Sequence, residues 1–233
     1  MTATAVESIL FLGKADDRHT AEAGEHCARH CARTTICLGR HADPFPEAAA
    51  SWQGDLIVSY LSRWIVPAAV LEMAARAAIN FHPAPPEYRG IGCTNFALYE
   101  GAPDYGATCH HMTPVVDGGA IIDVQRLPIL ETDDVASLLA RTYDHQFALF
   151  REVMDRLFRG EPLPRSAERW GAHLYTRTEL DALATLTTEM SADEVRRRVR
   201  ATKFGAWRPT LDLHGLRFVY QPDAPASTGA PVS

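Results

Sequence analysis

Three features of the sequence predict an α/β fold, a Rossmann-like, mostly parallel sheet flanked by helices with a small α+β extension behind it. Short apolar runs recur through the first half, at 8–12 (SILFL), 34–38 (TTICL), 55–60 (DLIVSY) and 77–81 (AAINF). Helix-forming stretches alternate with them, and strands that are apolar throughout belong in a parallel sheet covered on both faces. After Gly160 the texture changes to prolines, short polar helices and a hairpin pattern. Residues 1–160 therefore read as the core, 161–220 as the extension and 221–233 as a disordered tail.

The elements follow in order. The strand at 8–12 ends at Gly13, and a helix with an acidic start covers 16–32. The strand at 34–38 closes at Gly39, and two prolines make 41–53 a loop with room for a helical turn. The strand at 55–60 leads to a helix over 67–76, with Pro67 in its first turn, and then to the strand at 77–81. A helix over 92–99 precedes strands near 107–112 and 120–127, connected through 115–119. The longest helix, 137–158, stops at Gly160. In the extension, helices cover 179–187 and 192–202, the second opened by the capping pattern S-A-D-E at Ser191. Residues 211–213 and 216–220 pair around His214-Gly215. Ligands of such sheets bind beyond the carboxyl ends of the strands, which here means 62–65 and 82–90.

Composition narrows the function. With 233 residues, 46% hydrophobic and 22% charged, the chain is a soluble globular domain able to bury a core. A formal net charge of −6 disfavours nucleic acid and anionic membrane as partners, although a single nucleotide needs only a local basic pocket. The opening MTATAVES lacks the pattern of a signal peptide. No apolar run approaches the ~20 residues that span a bilayer. Cys27, Cys31, Cys37, Cys93 and Cys109 are odd in number and lack a disulfide spacing, so free thiols in a reducing cytoplasm are expected. His26, Cys27, His30 and Cys31 raise the question of a metal. The two pairs point about 100° apart around a helix and no second ligand cluster is evident, so no metal is expected and surface histidines over buried thiols is the reading.

The chemistry is carried by I-N-F-H-P at 79–83. Residues two apart in a strand share a side, so Asn80 and His82 project together at the strand's carboxyl end. Pro83 fixes the chain as it leaves the sheet. An amide donor beside a group that titrates near neutral pH suits attack on a carbonyl: the imidazole takes a proton and the amide stabilises the oxyanion. Alone, the pair could equally do no more than finish a strand. Asp117 similarly sits in an Asp-Gly step, a strong turn signal.

Four ordered blocks then decide between these readings: I-N-F-H-P-A-P-P-E-Y-R-G at 79–90, A-L-Y-E-G at 97–101, G-A-T-C-H at 106–110 and V-D-G-G-A-I-I at 116–122. Over 55–127 the chain resembles the folate-dependent formyltransferases, the family of methionyl-tRNA, glycinamide ribonucleotide and sugar N-formyltransferases. The resemblance implies the formyltransferase fold and a catalytic set of Asn80, His82 and Asp117. It implies 10-formyltetrahydrofolate as formyl donor, held between the turn with Ser62, Arg63, Trp64 and Ile65 and the turn with Val115, Val116, Gly118 and Gly119. Pro85, Tyr88, Arg89 and Gly90 are the expected acceptor-binding residues, and His110 a near-site one. Trp64 reads equally as a packing aromatic.

Departures from the family pattern point to the acceptor. The phosphate-holding glycine loop of the ribonucleotide enzymes is missing after the first strand, where only Gly13-Lys14 stands. The basic C-terminal barrel of the tRNA enzymes has no counterpart in the short extension. That extension, after K-F-G-A-W-R-P, looks most like that of sugar N-formyltransferases, some of which dimerise through it. The expectation is therefore transfer to a small-molecule amine carried by a sugar nucleotide, with a homodimer as its state. The alternatives are an amino acid or hydroxyornithine-type acceptor, and hydrolysis of 10-formyltetrahydrofolate. The basic run from Arg196 through Arg200 to Lys203 reads as a solvated helix face balanced by Asp193 and Glu194, with the diphosphate of a sugar nucleotide as the other use.

Overall fold

A computed structural model describes residues 6–222. A six-stranded sheet in the order β2-β1-β3-β4-β6-β7 forms the centre. β1 (Ser8–Lys14), β2 (Arg33–Gly39), β3 (Gly54–Tyr60) and β4 (Ala74–His82) are mutually parallel. β6 (Asp104–His111) runs antiparallel to both β4 and β7 (Ile121–Pro128). The sheet is thus mostly parallel, with one reversed strand on the side that carries the site.

Two helices cover one face. α1 (Arg18–His30) starts at Asp17, whose side chain accepts from the Thr20 N–H, and it presents Ala23 and Cys27 to the sheet. α5 (Val135–Phe158) opens with a capping box between Asp134 and Ser137 and buries Leu149, Phe150, Val153 and Met154 against Phe11, Tyr60 and Phe81. The second face is covered thinly, by the one-turn helices α2 (Glu47–Ala50) and α3 (Ala68–Leu71) and by Trp52 and Val66.

The predicted helix over 67–76 shrinks to the single turn of α3, and β4 begins at Ala74. The alanines there favour a helix locally. The open edge of β3, which Ala77, Ala78 and Ile79 complete, overrides them.

A third cluster joins α4 (Cys93–Glu100) to the extension: Phe96 and Leu98 pack with Leu180 and Leu183 of α6 (Arg177–Leu183) and Ala201 of α7 (Ala192–Thr202). The helix predicted over 179–187 is shorter and shifted, because Thr176 and Glu179 form a capping box that sets its start. Thr185–Leu186 becomes β9 and pairs with β10 (Thr210–Leu213), which forms a hairpin with β11 (Leu216–Val219). A pairing absent from the sequence reading links β5 (Arg89–Gly90) to β8 (Leu174–Tyr175). Of the predicted tail, 221–233, all but Gln221 and Pro222 lie outside the described residues.

All five thiols are free and buried. His26 is buried too, against the expectation of a surface residue: its Nε2 lies 2.8 Å from Asp155 Oδ1 on α5, and His30 stacks on Phe158. The basic face of α7 is committed within the protein: Arg197 and Arg198 pair with Glu194, Arg200 donates to the Asp133 and Leu130 carbonyls, and Lys203 pairs with Asp134. No helix among the described residues is long and apolar enough to cross a membrane.

Candidate active site

Asn80 and His82 stand at the carboxyl end of β4 and project to the same side, as the strand period requires. Asn80 lies opposite His110 in the antiparallel pairing with β6, and its Nδ2 is 3.0 Å from His110 Nε2. His110 Nδ1 is 2.9 Å from the His111 carbonyl oxygen. A carbonyl only accepts and an amide nitrogen only donates, so the tautomer of His110 that meets both contacts carries its proton on Nδ1 and accepts at Nε2. One amide hydrogen of Asn80 is thereby anchored and the other remains for an incoming oxygen.

His82 is held in a complementary way. Its Nε2 donates to the Tyr88 carbonyl oxygen at 3.0 Å, which leaves Nδ1 as the basic nitrogen. Nδ1 faces Asp117 Oδ1 at 3.7 Å, and the same oxygen lies 3.7 Å from His110 Nε2. Burial pushes the Asp117 carboxyl up, but His82 opposite it, the contact with His110 and the Gly90 N–H outweigh it and bring the pKa to about 2. Asp117 is therefore ionised at neutral pH and faces His82 Nδ1 as a carboxylate. The Cys93 thiol lies 4.0 Å from His82 Nε2, and burial, aided by the nearby Asp117 charge, pushes it up to about 12. It is a protonated neighbour, not a nucleophile.

The two turns beside this cluster hold strained residues. Leu61 follows β3 with φ 52°, and Asp117 has φ 46°, both in the left-handed region that disfavours a side chain. Between the turns opens a cavity of about 240 Å³, lined by Asn80, His82, His110 and Asp117 on its polar side. A second cavity of about 350 Å³ adjoins it, sharing Leu61, Ser62, Arg63, His82 and Pro83, and runs past Gly90, Cys93 and Tyr143 to Phe204.

Ser62, Arg63, Trp64, Ile65, Val115 and Val116 line the first cavity. Trp64 is also a packing residue, since its Nε1 donates to the Asp43 carbonyl and its ring packs on Phe45. Gly118 and Gly119 are absent from both linings; Gly119 instead packs its Cα against the His111 carbonyl oxygen. Of the expected acceptor residues only Gly90 lines the second cavity. Pro85 is buried, the Tyr88 hydroxyl donates to Glu100, and Arg89 donates to the Gly171 and Val116 carbonyls, so these three build the loop rather than the cavity wall.

Sequence reasoning missed Phe204, Cys93 and Trp170. Phe204 is 41% exposed at the far end of the second cavity, and only its place in K-F-G-A-W could have flagged it. Trp170 is a lone aromatic in a polar linker.

An amide, an imidazole and a carboxylate thus converge beyond a strand end, beside two adjoining cavities. The chain belongs to the formyl transferase family, whose model matches residues 18–154. It is 27% identical over 172 residues to a GDP-perosamine N-formyltransferase of Brucella melitensis biotype 1, covering 73% of this chain and 65% of that protein. It is 28% identical over 196 residues to a methionyl-tRNA formyltransferase of Janthinobacterium sp. (strain Marseille), covering 80% of this chain and 61% of that one. The chain thus spans under two thirds of the length of either relative. The fold is that of a crystallised N-formyltransferase of Helicobacter canadensis, in complex with folinic acid and dTDP-3-aminofucose, with a TM-score of 0.68 at 16% identity over 84% of this chain and 80% of that one.

Proposed function

We propose that the chain transfers the formyl group of 10-formyltetrahydrofolate to the amine of a nucleotide-linked amino sugar. The observation that carries this reading is that Asn80, His82 and Asp117 line the first cavity together and His82 lines the second as well. The first cavity, between the turns at 61–66 and 113–117, suits the flat pterin of the donor, with backbone groups at its edge and Trp64 and Ile65 as walls. The second suits the acceptor: Lys14 and Arg63 offer positive charge for phosphate, and Phe204 an aromatic face for a base.

In this reading the acceptor nitrogen attacks the formyl carbon and the carbonyl oxygen becomes an oxyanion. The free amide hydrogen of Asn80 donates to that oxygen, a contribution on the order of 100-fold or more in rate. His82 takes one proton from the attacking nitrogen at Nδ1, and Asp117 stabilises the resulting imidazolium. His82 then returns the proton to the departing donor nitrogen as its bond to the formyl carbon breaks. One proton leaves the amine and one arrives on the folate nitrogen, so His82 ends as it began.

The amino-sugar acceptor is supported by what the Brucella relative is named for and by the ligand of the Helicobacter structure. A net charge of −6 and an α7 basic face already committed to internal partners favour a small acceptor over tRNA. For the homodimer, the support is the hairpin of β10 and β11, where Leu216, Phe218 and Val219 are exposed together; sedimentation would find a monomer if it is wrong.

Incubation with 10-formyltetrahydrofolate and a panel of amines tests the function. Tetrahydrofolate release that requires a nucleoside-diphosphate amino sugar supports it. Release without any amine means hydrolysis, and release only with amino-acid-like amines moves the acceptor to that class.

A further inference from the structure

Trp170 lies in the stretch between α5 and β8 and covers the reaction centre without lining either cavity. Its ring meets His110 edge-on at 5.0 Å between centroids and His82 at 5.9 Å. Its Nε1–H donates to the Gly119 carbonyl oxygen at 2.7 Å. Arg89 reaches the other end of the same turn, donating from Nη2 to the Val116 carbonyl and from Nη1 to the Gly171 carbonyl, both at 3.2 Å. Its guanidinium lies 5.8 Å from the centre of the Trp170 ring, so the two side chains brace each other.

Asp117 sits between these two anchored carbonyls, in its left-handed conformation. Its carboxylate is held loosely: the Gly90 N–H donates at a long 3.4 Å, and His82 and His110 each face it at 3.7 Å. Its placement thus depends on the turn. The rest of the segment is laced to the same region: Gly171 N donates to the Pro86 carbonyl at 2.9 Å and Ser166 N to the Ile121 carbonyl at 3.1 Å.

We propose that Trp170 and Arg89 clamp the turn at 116–119 from both ends and so hold the Asp117 carboxylate against His82. The inference rests on the formyl-transfer reading of the site. Both are positioning residues, acting on the carboxylate through the backbone on either side of it. Released from the clamp, the turn relaxes toward an ordinary backbone conformation and carries Asp117 away from Nδ1. A displacement near 1 Å at such a site can lower turnover about 100-fold. Substrate binding should survive, because the indole does not face the cavities.

Trp170→Phe tests this, since it keeps an aromatic ring beside both histidines and removes the N–H with the rest of the indole. The expected result is a kcat lower by roughly 10- to 100-fold, with KM for donor and acceptor within about threefold of wild type. Crystals of the two proteins, grown alike, should show the Asp117 to His82 separation longer in the variant. An unchanged kcat, or a loss that appears in KM, overturns the clamp. Arg89→Leu cuts the opposite anchor, should give the same split, and decides the matter if Trp170→Phe does not fold. A wild-type protein that formylates no amine would sink the formyl-transfer reading instead. The crystal comparison would still judge the clamp, and an unmoved Asp117 would overturn it.

Discussion

Asn80 and His110 face each other across the pairing of β4 with β6, amide nitrogen to imidazole nitrogen at 3.0 Å. The histidine therefore decides which way the amide points. With Nδ1–H spent on the His111 carbonyl, Nε2 can only accept, so it selects the orientation that shows an N–H to the cavity. Asn80→Ala should lower kcat on the order of 100-fold or more, with KM for the donor changed little. His110→Ala frees the amide to rotate and should lower kcat by about tenfold, less than the loss of the amide itself. Steady-state kinetics on both variants, with circular dichroism to verify folding, checks the order.

The Asp117 carboxyl ties stability to pH. Its pKa falls from 3.8 to about 2 on folding, through His82, His110 and the Gly90 N–H acting against burial. A depressed carboxyl stabilises the fold above its unfolded pKa, and that contribution disappears as pH falls through its folded pKa. Of the order of 2 kcal/mol should thus be present at pH 7 and be lost between about pH 4 and pH 2. Urea unfolding of wild type and Asp117→Asn across that range measures it. The gap between the two proteins should close as the acid limit is approached; a gap independent of pH would mean the carboxylate is not coupled to the imidazoles.

How much of this was legible beforehand differs by element. Asn80 and His82 could be placed from two-residue periodicity and Pro83, because a strand end fixes direction locally. Asp117 could be located in a turn, but nothing in D-G-G shows that Val116 and Gly119 are anchored by residues from two other segments. Arg89 reads as an acceptor ligand because it lies in the 82–90 loop beyond the end of β4; its partners are instead the backbone carbonyls of Gly171 in the linker and Val116 in the turn. The same long-range pairing turned Ala74, Ala75 and Arg76 from helix into strand. Local signals named the chemistry, and tertiary contacts chose between scaffold and cavity.

The two cavities can be separated by single changes. Trp64 lines the first and Phe204 the second, and neither lines both. Trp64→Ala should raise the KM for the formyl donor by about tenfold while leaving that of the acceptor alone. Phe204→Ala should do the converse, losing a stacking contact of roughly 1–2 kcal/mol. Initial-rate measurements with each substrate varied in turn check both. A donor effect from Phe204→Ala would reverse the proposed assignment of the cavities.

Gly119 and Gly101 separate two reasons for a glycine. At Gly101, the C-cap of α4, an added Cβ meets nothing within 4 Å, and only the backbone φ of 70° opposes it. Gly101→Ala should cost roughly 1 kcal/mol of stability and leave kcat untouched. At Gly119 a Cβ would overlap the His111 carbonyl oxygen, a backbone atom of β6 that cannot swing aside. The turn must move instead, and Asp117 moves with it. Gly119→Ala should therefore lower kcat by an order of magnitude or more, even where its melting temperature falls no further than that of Gly101→Ala. Comparing kcat and melting temperature for the two variants isolates the effect. Equal turnover in both would show that the turn tolerates displacement and that the position of Asp117 does not limit the reaction.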